Sequence, residues 1–181
     1  MHDLLLRQAQ DEVLPIGGLK GFAAIPICGG KQEGIMVDTD KHIVCPECGG
    51  TNRVVANKPL AMAKCGKCHA DLFAGHPASV DAAIFDKQIT RSDVPVVVDF
   101  WADWCGPCHA MAPSFEAAAR ELEPKLRFLK LDTEAEPQVA ARYNIRGIPN
   151  LIVFKHGKIL AQQAGAMNAS ALKAWLAPFT G

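Results

Sequence analysis

The sequence VPVVVDFWADWCGPCHAMAP, residues 94–113, decides the fold. Its first half is a nearly continuous apolar run, which is typical of a central strand that is covered on both faces. Its second half holds Cys105 and Cys108, separated by Gly106 and Pro107. A helix is predicted from about residue 107 to 122, because apolar side chains recur there at helical spacing. The two thiols therefore lie where a strand passes into a helix, a position suited to making and breaking one disulfide bond.

Cys105 is predicted to be the nucleophile of this pair. Unpaired backbone N–H groups and the positive end of the helix dipole favour a thiolate at a helix N-terminus, and the thiolate is the attacking species in disulfide exchange. We expect its sulfur to be accessible to solvent. Cys108 lies one turn further along, within reach of Cys105 but less exposed. The alternative for this pair is half of a metal site, although no further cysteine pair follows it.

Asp99 interrupts the apolar run, and a purely structural role explains it poorly. A buried, charged and unpaired carboxylate is costly by several kcal/mol. We therefore expect Asp99 to be protonated or partnered, with a raised pKa. Placed below the thiols, it can take the proton of Cys108 as that thiol becomes a nucleophile. The alternative is an aspartate on an edge strand that faces water.

Four earlier cysteines have the spacing of a structural zinc site. Cys45 and Cys48 form one Cys-x-x-Cys, sixteen residues follow, and Cys65 and Cys68 form the second. Each pair forms a tight turn that presents two thiolates, and two such turns surround one ion tetrahedrally. Because this segment has few large apolar residues, we predict that it cannot build its own core and needs the metal to fold. Two chance pairs or two disulfides are the alternatives.

Length and composition bound the domain organisation and the partners. The 181 residues suit one medium domain and a small appendage. We predict a disordered tail at residues 1–40, a four-cysteine zinc-binding domain at 41–75 and a main domain at 76–181, with a linker ending at Ser79. The formal net charge of zero disfavours nucleic acid as a partner. The seventh cysteine, Cys28, is given no role.

The sequence also predicts the compartment and the remaining elements. No apolar run approaches the roughly 20 residues of a membrane helix, and a poor signal sequence favours the cytoplasm, where paired cysteines usually bind metal or carry out redox chemistry. In the main domain a first helix begins after Ser79 or Asp81. Strands and helices then alternate, and a hairpin at residues 150–164 and a last helix follow. This order predicts an α/β protein with a mixed sheet.

The stretch around Cys105 and Cys108 resembles a known family. Residues 100–108, FWADWCGPC, look like the active-site signature of thioredoxins. The likeness extends over about residues 80–180 and includes Asp99, Pro113, Lys130, the run 147–149 and Gly157. With the four cysteines in front, the chain is similar to the zinc-containing bacterial thioredoxins. The resemblance implies a thioredoxin fold, a central mixed sheet flanked by helices, with a small zinc-ribbon-like domain before it.

The resemblance also implies roles for particular residues. It makes Cys105 the nucleophile and Cys108 the resolving thiol. It makes Asp99 a buried proton acceptor whose proton affinity is adjusted by the nearby Lys130. The implied catalytic site comprises Cys105, Cys108, Asp99, Lys130, Pro149, Trp104, Gly106 and Pro107. In it Pro149 is a cis proline packed beside the disulfide, and Trp104 flanks the exposed sulfur.

Three positions depart from the family pattern. His109 stands where Lys or Arg usually follows the second cysteine, Asn150 stands where Thr usually follows the proline, and His69 stands where the zinc turn usually has Gly. None of these removes a reacting group. Because of His109 and Asn150, the sequence does not determine the reduction potential or the substrate preference.

The leading interpretation is a cytoplasmic, monomeric protein-disulfide reductase. The resemblance implies one structural Zn²⁺, no organic cofactor, and electrons supplied by an NADPH-dependent thioredoxin reductase. A disulfide oxidase or isomerase is an alternative that the missing signal sequence disfavours. A second alternative is a zinc-dependent redox-sensing interaction module or holdase, in which the four metal-binding cysteines are the sensor. That role can coexist with reduction.

Overall fold

A computed structural model describes residues 39–181, which belong to one compact unit. The predicted tail up to residue 38, with Cys28, lies outside the described residues. The elements in chain order are β1 Lys41–Val44, β2 Thr51–Val54, β3 Ala78–Ser79, α1 Ala82–Arg91, β4 Val96–Trp101, α2 Gly106–Leu122, β5 Arg127–Asp132, α3 Pro137–Arg142, β6 Asn150–Lys155, β7 Lys158–Ala164 and α4 Ala169–Leu176. Within residues 39–181, no helix has the length and apolar character needed to cross a membrane.

Five strands form a mixed sheet in the order β3-β5-β4-β6-β7. Both β3 and β4 run parallel to β5, whereas β6 is antiparallel to β4 and to β7. The central strand β4 is buried from Val96 to Phe100. These features confirm the predicted α/β fold with a mixed sheet. The linker prediction is wrong at its end: Ala78 and Ser79 form the edge strand, because they pair with Leu129 and Lys130.

Helices cover both faces of this sheet. On one face α2 and α4 bury Phe115 and Leu172 in one apolar cluster, and on the other face α1 and α3 bury Phe85 and Val139 in a second. Asp81 caps α1, since its Oδ1 accepts a hydrogen bond from the Ile84 amide at 2.7 Å. This confirms one of the two predicted start sites of that helix and satisfies a backbone donor that would otherwise lack a partner.

The four-cysteine segment forms a β1–β2 hairpin and the loops that follow it. The prediction that it has no core is partly wrong, because it contains a small apolar cluster around Ile43, Leu60 and Leu72. That cluster is completed by Val94, which lies directly before β4 in the main domain. The segment and the main domain therefore share buried apolar surface.

Buried hydrogen bonds also join the hairpin to α1. The amide of Val44 donates to Ser92 Oγ at 3.2 Å, and the carbonyl of Val44 accepts from Gln88 Nε2 at 3.0 Å. Ser92 Oγ in turn donates to Gln88 Oε1 at 3.2 Å. Because Val44 immediately precedes Cys45, the first Cys-x-x-Cys turn is held against the main domain by its own backbone.

A buried ion pair forms the second connection. Arg127 and Glu123 each expose 2% of their side chains, and Arg127 Nη1 lies 3.2 Å from Glu123 Oε1. The guanidinium also donates to the carbonyl of Leu72 and lies 4.2 Å from the centroid of the Phe73 ring. Glu123 Oε2 accepts from the Gly75 amide at 2.9 Å. A charged pair of the main domain thus receives part of its hydrogen bonding from the four-cysteine segment.

Candidate functional site

The cysteine pair lies at the predicted junction of strand and helix. Cys105 is the N-cap residue of α2, and its Sγ accepts a hydrogen bond from the Cys108 amide at 3.2 Å. Cys105 and Cys108 are joined by a disulfide bond with an S–S distance of 2.08 Å. The same backbone donors would stabilise a Cys105 thiolate after reduction.

The prediction that Cys105 is accessible is wrong for this oxidised form. Cys105 and Cys108 are each only 2% exposed. The reason is local: the Cys105 side chain turns back to cap its own helix, and its sulfur is bonded to that of Cys108. Attack by another thiol therefore requires more exposure of a sulfur than this conformation shows.

The surroundings of the disulfide combine an exposed aromatic ring with buried backbone. Trp104 is 70% exposed. The Ile148–Pro149 peptide bond is cis, as the resemblance implies, and Pro149 is buried. His109 Nε2 lies 2.6 Å from the carbonyl oxygen of Asp103, so this ring nitrogen carries the hydrogen and donates. The His109 side chain thereby ties α2 to the loop that carries Trp104.

Asp99 is buried as predicted, and the alternative of a water-facing aspartate is wrong. It is 1% exposed, and neither carboxylate oxygen has a hydrogen-bond partner among the described residues. Burial raises the pKa of Asp99 to about 7, while the positive charge of Lys130 acts in the opposite direction. A carboxyl group with such a pKa can both accept and release a proton near neutral pH.

Lys130 lies opposite Asp99 in the β4–β5 register. Its ammonium nitrogen is 3.9 Å from the centroid of the Trp101 ring, a cation–π contact. Lys130 thus has two electrostatic partners, the ring and the buried carboxylate. The contact between Lys130 and Trp101 carries no sequence signal, because it depends on the pairing of two strands.

The four earlier cysteines come together as predicted. The sulfurs of Cys45, Cys48, Cys65 and Cys68 all lie within 4.8 Å of one another. Cys45 Sγ is 3.6 Å from Cys68 Sγ, and Cys48 Sγ is 3.6 Å from Cys65 Sγ. Tetrahedral zinc with bonds of about 2.3 Å separates sulfurs by about 3.8 Å. Burial raises the pKa of Cys45 to about 12, and the set of four cysteine sulfurs at this spacing fits zinc.

The two turns of this site share one backbone geometry. The residue after each pair is left-handed, with φ of 64° at both Gly49 and His69. A Cβ at Gly49 would lie 3.2 Å from Lys87 Nζ and 3.3 Å from Lys87 Cδ, so the end of the Lys87 side chain would have to shift by a few tenths of an ångström. His69 is exposed, so its side chain extends into solvent. Histidine is therefore accommodated at position 69, at the cost of backbone strain.

Replacing His69 by glycine should stabilise the protein by about 1 kcal/mol, since a left-handed conformation costs non-glycine residues about 1–2 kcal/mol. Urea unfolding of the zinc-loaded protein measures the effect. Lys67→Gly is the matched control, because Lys67 lies in the same turn without a positive φ and glycine there only increases the entropy of the unfolded chain. Equal effects of the two substitutions would contradict the strain explanation.

The two sulfur sites lie at opposite ends of the sheet. The four-cysteine segment contacts Val94 and Arg127, at the beginnings of β4 and β5. The disulfide follows the other end of β4. A strand of six residues spans about 20 Å. Direct sulfur exchange between the disulfide and the four clustered cysteines is therefore excluded by distance in this conformation.

Comparison with known families matches both parts of the chain. The family model described as thioredoxin matches residues 76–178, and the model described as the N-terminal zinc ribbon of thioredoxin 2 matches residues 44–70. The second match covers all four clustered cysteines. The two models together cover most of the part of the chain that the structure describes.

Individual relatives agree with these matches. Thioredoxin C-3 of Corynebacterium nephridii is 40% identical over 134 residues, which cover 74% of this chain and 92% of that protein. A thioredoxin of Pseudomonas aeruginosa is 40% identical over 101 residues, or 56% of this chain and 94% of the relative. Among solved structures, a thioredoxin of Malassezia sympodialis has a TM-score of 0.53 at 34% identity and covers 57% of this chain and 90% of that one.

Proposed function

This chain belongs to the thioredoxin family and is a protein-disulfide oxidoreductase, and on that premise we propose that it reduces protein disulfides with the dithiol of Cys105 and Cys108. The observation that carries the proposal is the disulfide at the N-terminus of α2, where backbone donors favour a thiolate. Reduction is the proposed direction because Gly106 and Pro107 resemble those of the reducing members. A reducing, cytoplasmic compartment suits this direction.

In the first step the Cys105 thiolate attacks one sulfur of a substrate disulfide. A Cys105–substrate mixed disulfide forms, and the other substrate sulfur leaves as a thiolate. This thiolate takes a proton from solvent. The helix N-terminus lowers the energy of the attacking thiolate, and the neighbouring Trp104 ring offers an apolar surface to the incoming protein.

In the second step Cys108 attacks Cys105 Sγ. The Cys108 thiol gives its proton to Asp99, directly or through water, as it becomes a nucleophile. The bond between Cys105 and the substrate breaks, the substrate leaves as a second thiolate, and the protein disulfide forms. Two electrons have then passed from the dithiol to the substrate. An NADPH-dependent thioredoxin reductase is the proposed donor that restores the dithiol.

The wild-type protein tests this proposal directly. With NADPH and a bacterial thioredoxin reductase, it should reduce insulin and consume NADPH in proportion to the insulin disulfides broken. Its redox equilibrium with glutathione separates a reductase from an oxidase, because an oxidase is readily reduced by glutathione. Failure to reduce insulin even after chemical reduction of the dithiol would show that the proposed function is wrong.

The four clustered cysteines are proposed to hold one structural Zn²⁺ in a domain at residues 41–75, before a main domain at 76–181. When bound, the ion supplies charge compensation for four thiolates and much of the folding free energy of the segment. One reduced sample should contain one zinc ion and three free thiols, since four of the seven cysteines are taken by the ion. Unchanged insulin reduction after zinc release by peroxide and re-reduction of the dithiol would favour a structural over a sensing role.

Asp99→Asn should slow disulfide reduction at least tenfold, because the resolving thiol loses its proton acceptor. It should also change stability in a pH-dependent way. The pKa of Asp99 in the fold, about 7, lies above that in the unfolded chain, so the stability associated with its bound proton is lost as the pH rises from about 4 through 7. The variant lacks this loss and should be more stable than wild type at pH 8, by about 4 kcal/mol at most.

Urea unfolding between pH 4 and pH 8 measures the stability effect, and insulin reduction measures the rate. Asp103→Asn is the matched control, because Asp103 is an exposed carboxylate close to the same disulfide. The control should leave the pH dependence of stability unaltered. Parallel pH profiles for wild type and Asp99→Asn would show that Asp99 titrates normally and is no proton acceptor.

A further inference from the structure

A groove of about 360 Å³ lies beside the disulfide. Its wall is largely apolar and includes Trp104, Ala140, Ile145 and Ile148, and Arg146 is the one charged residue that lines it. We call it the Trp104 groove. An apolar wall with a single cation suits a ligand that is itself mostly apolar and carries one negative charge.

The Trp104 groove is lined by residues that neighbour Cys105 and the cis proline in the sequence. Trp104 immediately precedes Cys105, and Ile148 immediately precedes the buried Pro149. Since both sulfurs are nearly inaccessible in the oxidised protein, a partner must engage surface next to them. Trp104 is the large apolar side chain that is most exposed there, and exposed tryptophans are frequent anchors of protein interfaces.

Arg146 is oriented by its neighbour. Its Nε donates to Asn144 Oδ1 at 3.1 Å, and Asn144 has a left-handed backbone with φ of 53°. In residues 39–181, no hydrogen bond or ion pair occupies the two terminal nitrogens of this guanidinium. A guanidinium held at Nε presents a pair of donors that matches a carboxylate.

We propose that the Trp104 groove selects protein substrates that carry an apolar side chain and an Asp or Glu next to the reducible disulfide. The apolar side chain contacts Trp104 and Ile148, and the carboxylate pairs with Arg146. This inference rests on the proposed function and adds the substrate class to it. Substrates with Lys or Arg at the same position bind less well, because like charges meet in the groove.

Two peptides with one internal disulfide test the inference. They are identical except that Leu-Glu in one and Leu-Lys in the other precedes the attacked cysteine. At low salt, wild type should reduce the Glu peptide with a kcat/KM about five- to tenfold higher, and salt should shrink the ratio. Arg146→Glu should reverse the preference. Arg142→Glu makes the same charge change on α3, outside the lining of the groove, and should retain the wild-type ratio.

Equal kcat/KM values for the two peptides in wild type, or an unchanged ratio in Arg146→Glu, would overturn the proposed substrate class. The ratio compares two substrates on one protein, so a general loss of activity in a variant does not affect it. Dithiodipyridine, a small uncharged disulfide, distinguishes a failure of the proposed reductase function from a failure of the proposed substrate class. If wild type reduces neither the peptides nor dithiodipyridine, the proposed function fails; if it reduces all three without preference, only the substrate class fails.

Discussion

Cys105→Ser abolishes the reduction of protein disulfides, with an expected loss of at least about a thousandfold, because a serine hydroxyl cannot attack a disulfide at neutral pH. Cys108→Ser behaves differently: Cys105 still attacks, but no thiol resolves the product. That variant should accumulate a covalent complex with the substrate, visible by mass spectrometry and released by dithiothreitol. Insulin reduction coupled to NADPH consumption measures the loss. Cys28→Ser should retain full activity.

The burial of Cys105 in the oxidised protein makes a second measurement necessary. After reduction, iodoacetamide should modify Cys105 well before Cys108 in the native protein, since only the attacking sulfur needs to reach another molecule. Reduction removes the bond that holds the two sulfurs together, and Cys105 Sγ is then free to turn outward. If native reduced protein shows no modification at Cys105, the proposed mechanism is wrong.

Arg127→Met destabilises the protein by about 3–5 kcal/mol, the usual loss when one partner of a buried ion pair is removed. Glu123 is then left buried opposite an apolar side chain, and the carbonyl of Leu72 loses its donor. Burial already raises the pKa of Glu123, and the positive charge of Arg127 counteracts that shift. Urea unfolding at constant zinc measures the loss. The pH dependence should also change, because the unpaired carboxyl will bind a proton more readily.

Arg120→Met is the matched control. Arg120 forms an ion pair with Glu116 at 3.9 Å that also spans four residues, but 72% of its side chain is exposed. Its replacement should change stability by no more than about 0.5 kcal/mol. The double variant Arg127→Met with Glu123→Gln should lose less than Arg127→Met alone, since no charge remains buried. Equal losses for Arg127→Met and Arg120→Met would contradict the importance of this connection between the two parts of the chain.

The four-cysteine segment and the main domain are in contact at the end of the sheet that is remote from the disulfide. Hydrogen bonds at Val44 and Leu72 and the shared contact with Val94 all lie on that side. If the proposed metal is removed, the first effect expected on the main domain is therefore a lower free energy of unfolding. A direct chemical effect on Cys105 is not expected, because about 20 Å of strand separates the two sites.

The sequence by itself determined which cysteines cluster, where the disulfide lies and most of the element order. Cysteine spacing identified the four-cysteine cluster and the disulfide pair, because each Cys-x-x-Cys turn is local and its geometry depends on a few consecutive residues. Asp99 was recognisable because a charge inside an apolar run has few explanations. Arg127 carries the same signal within residues 126–131. Its partners could not be derived, since Glu123 is the C-cap residue after α2 and Leu72 lies in a distant segment.

Only the tertiary structure decided which residues from distant segments come into contact. It placed Lys130 over Trp101, made Ala78 and Ser79 a strand and completed the apolar core of the four-cysteine segment with Val94. Each of these outcomes depends on which surfaces meet after the chain has folded. A local pattern specifies what a residue can do, whereas its exposure and its partners depend on contacts between segments that are far apart in the sequence.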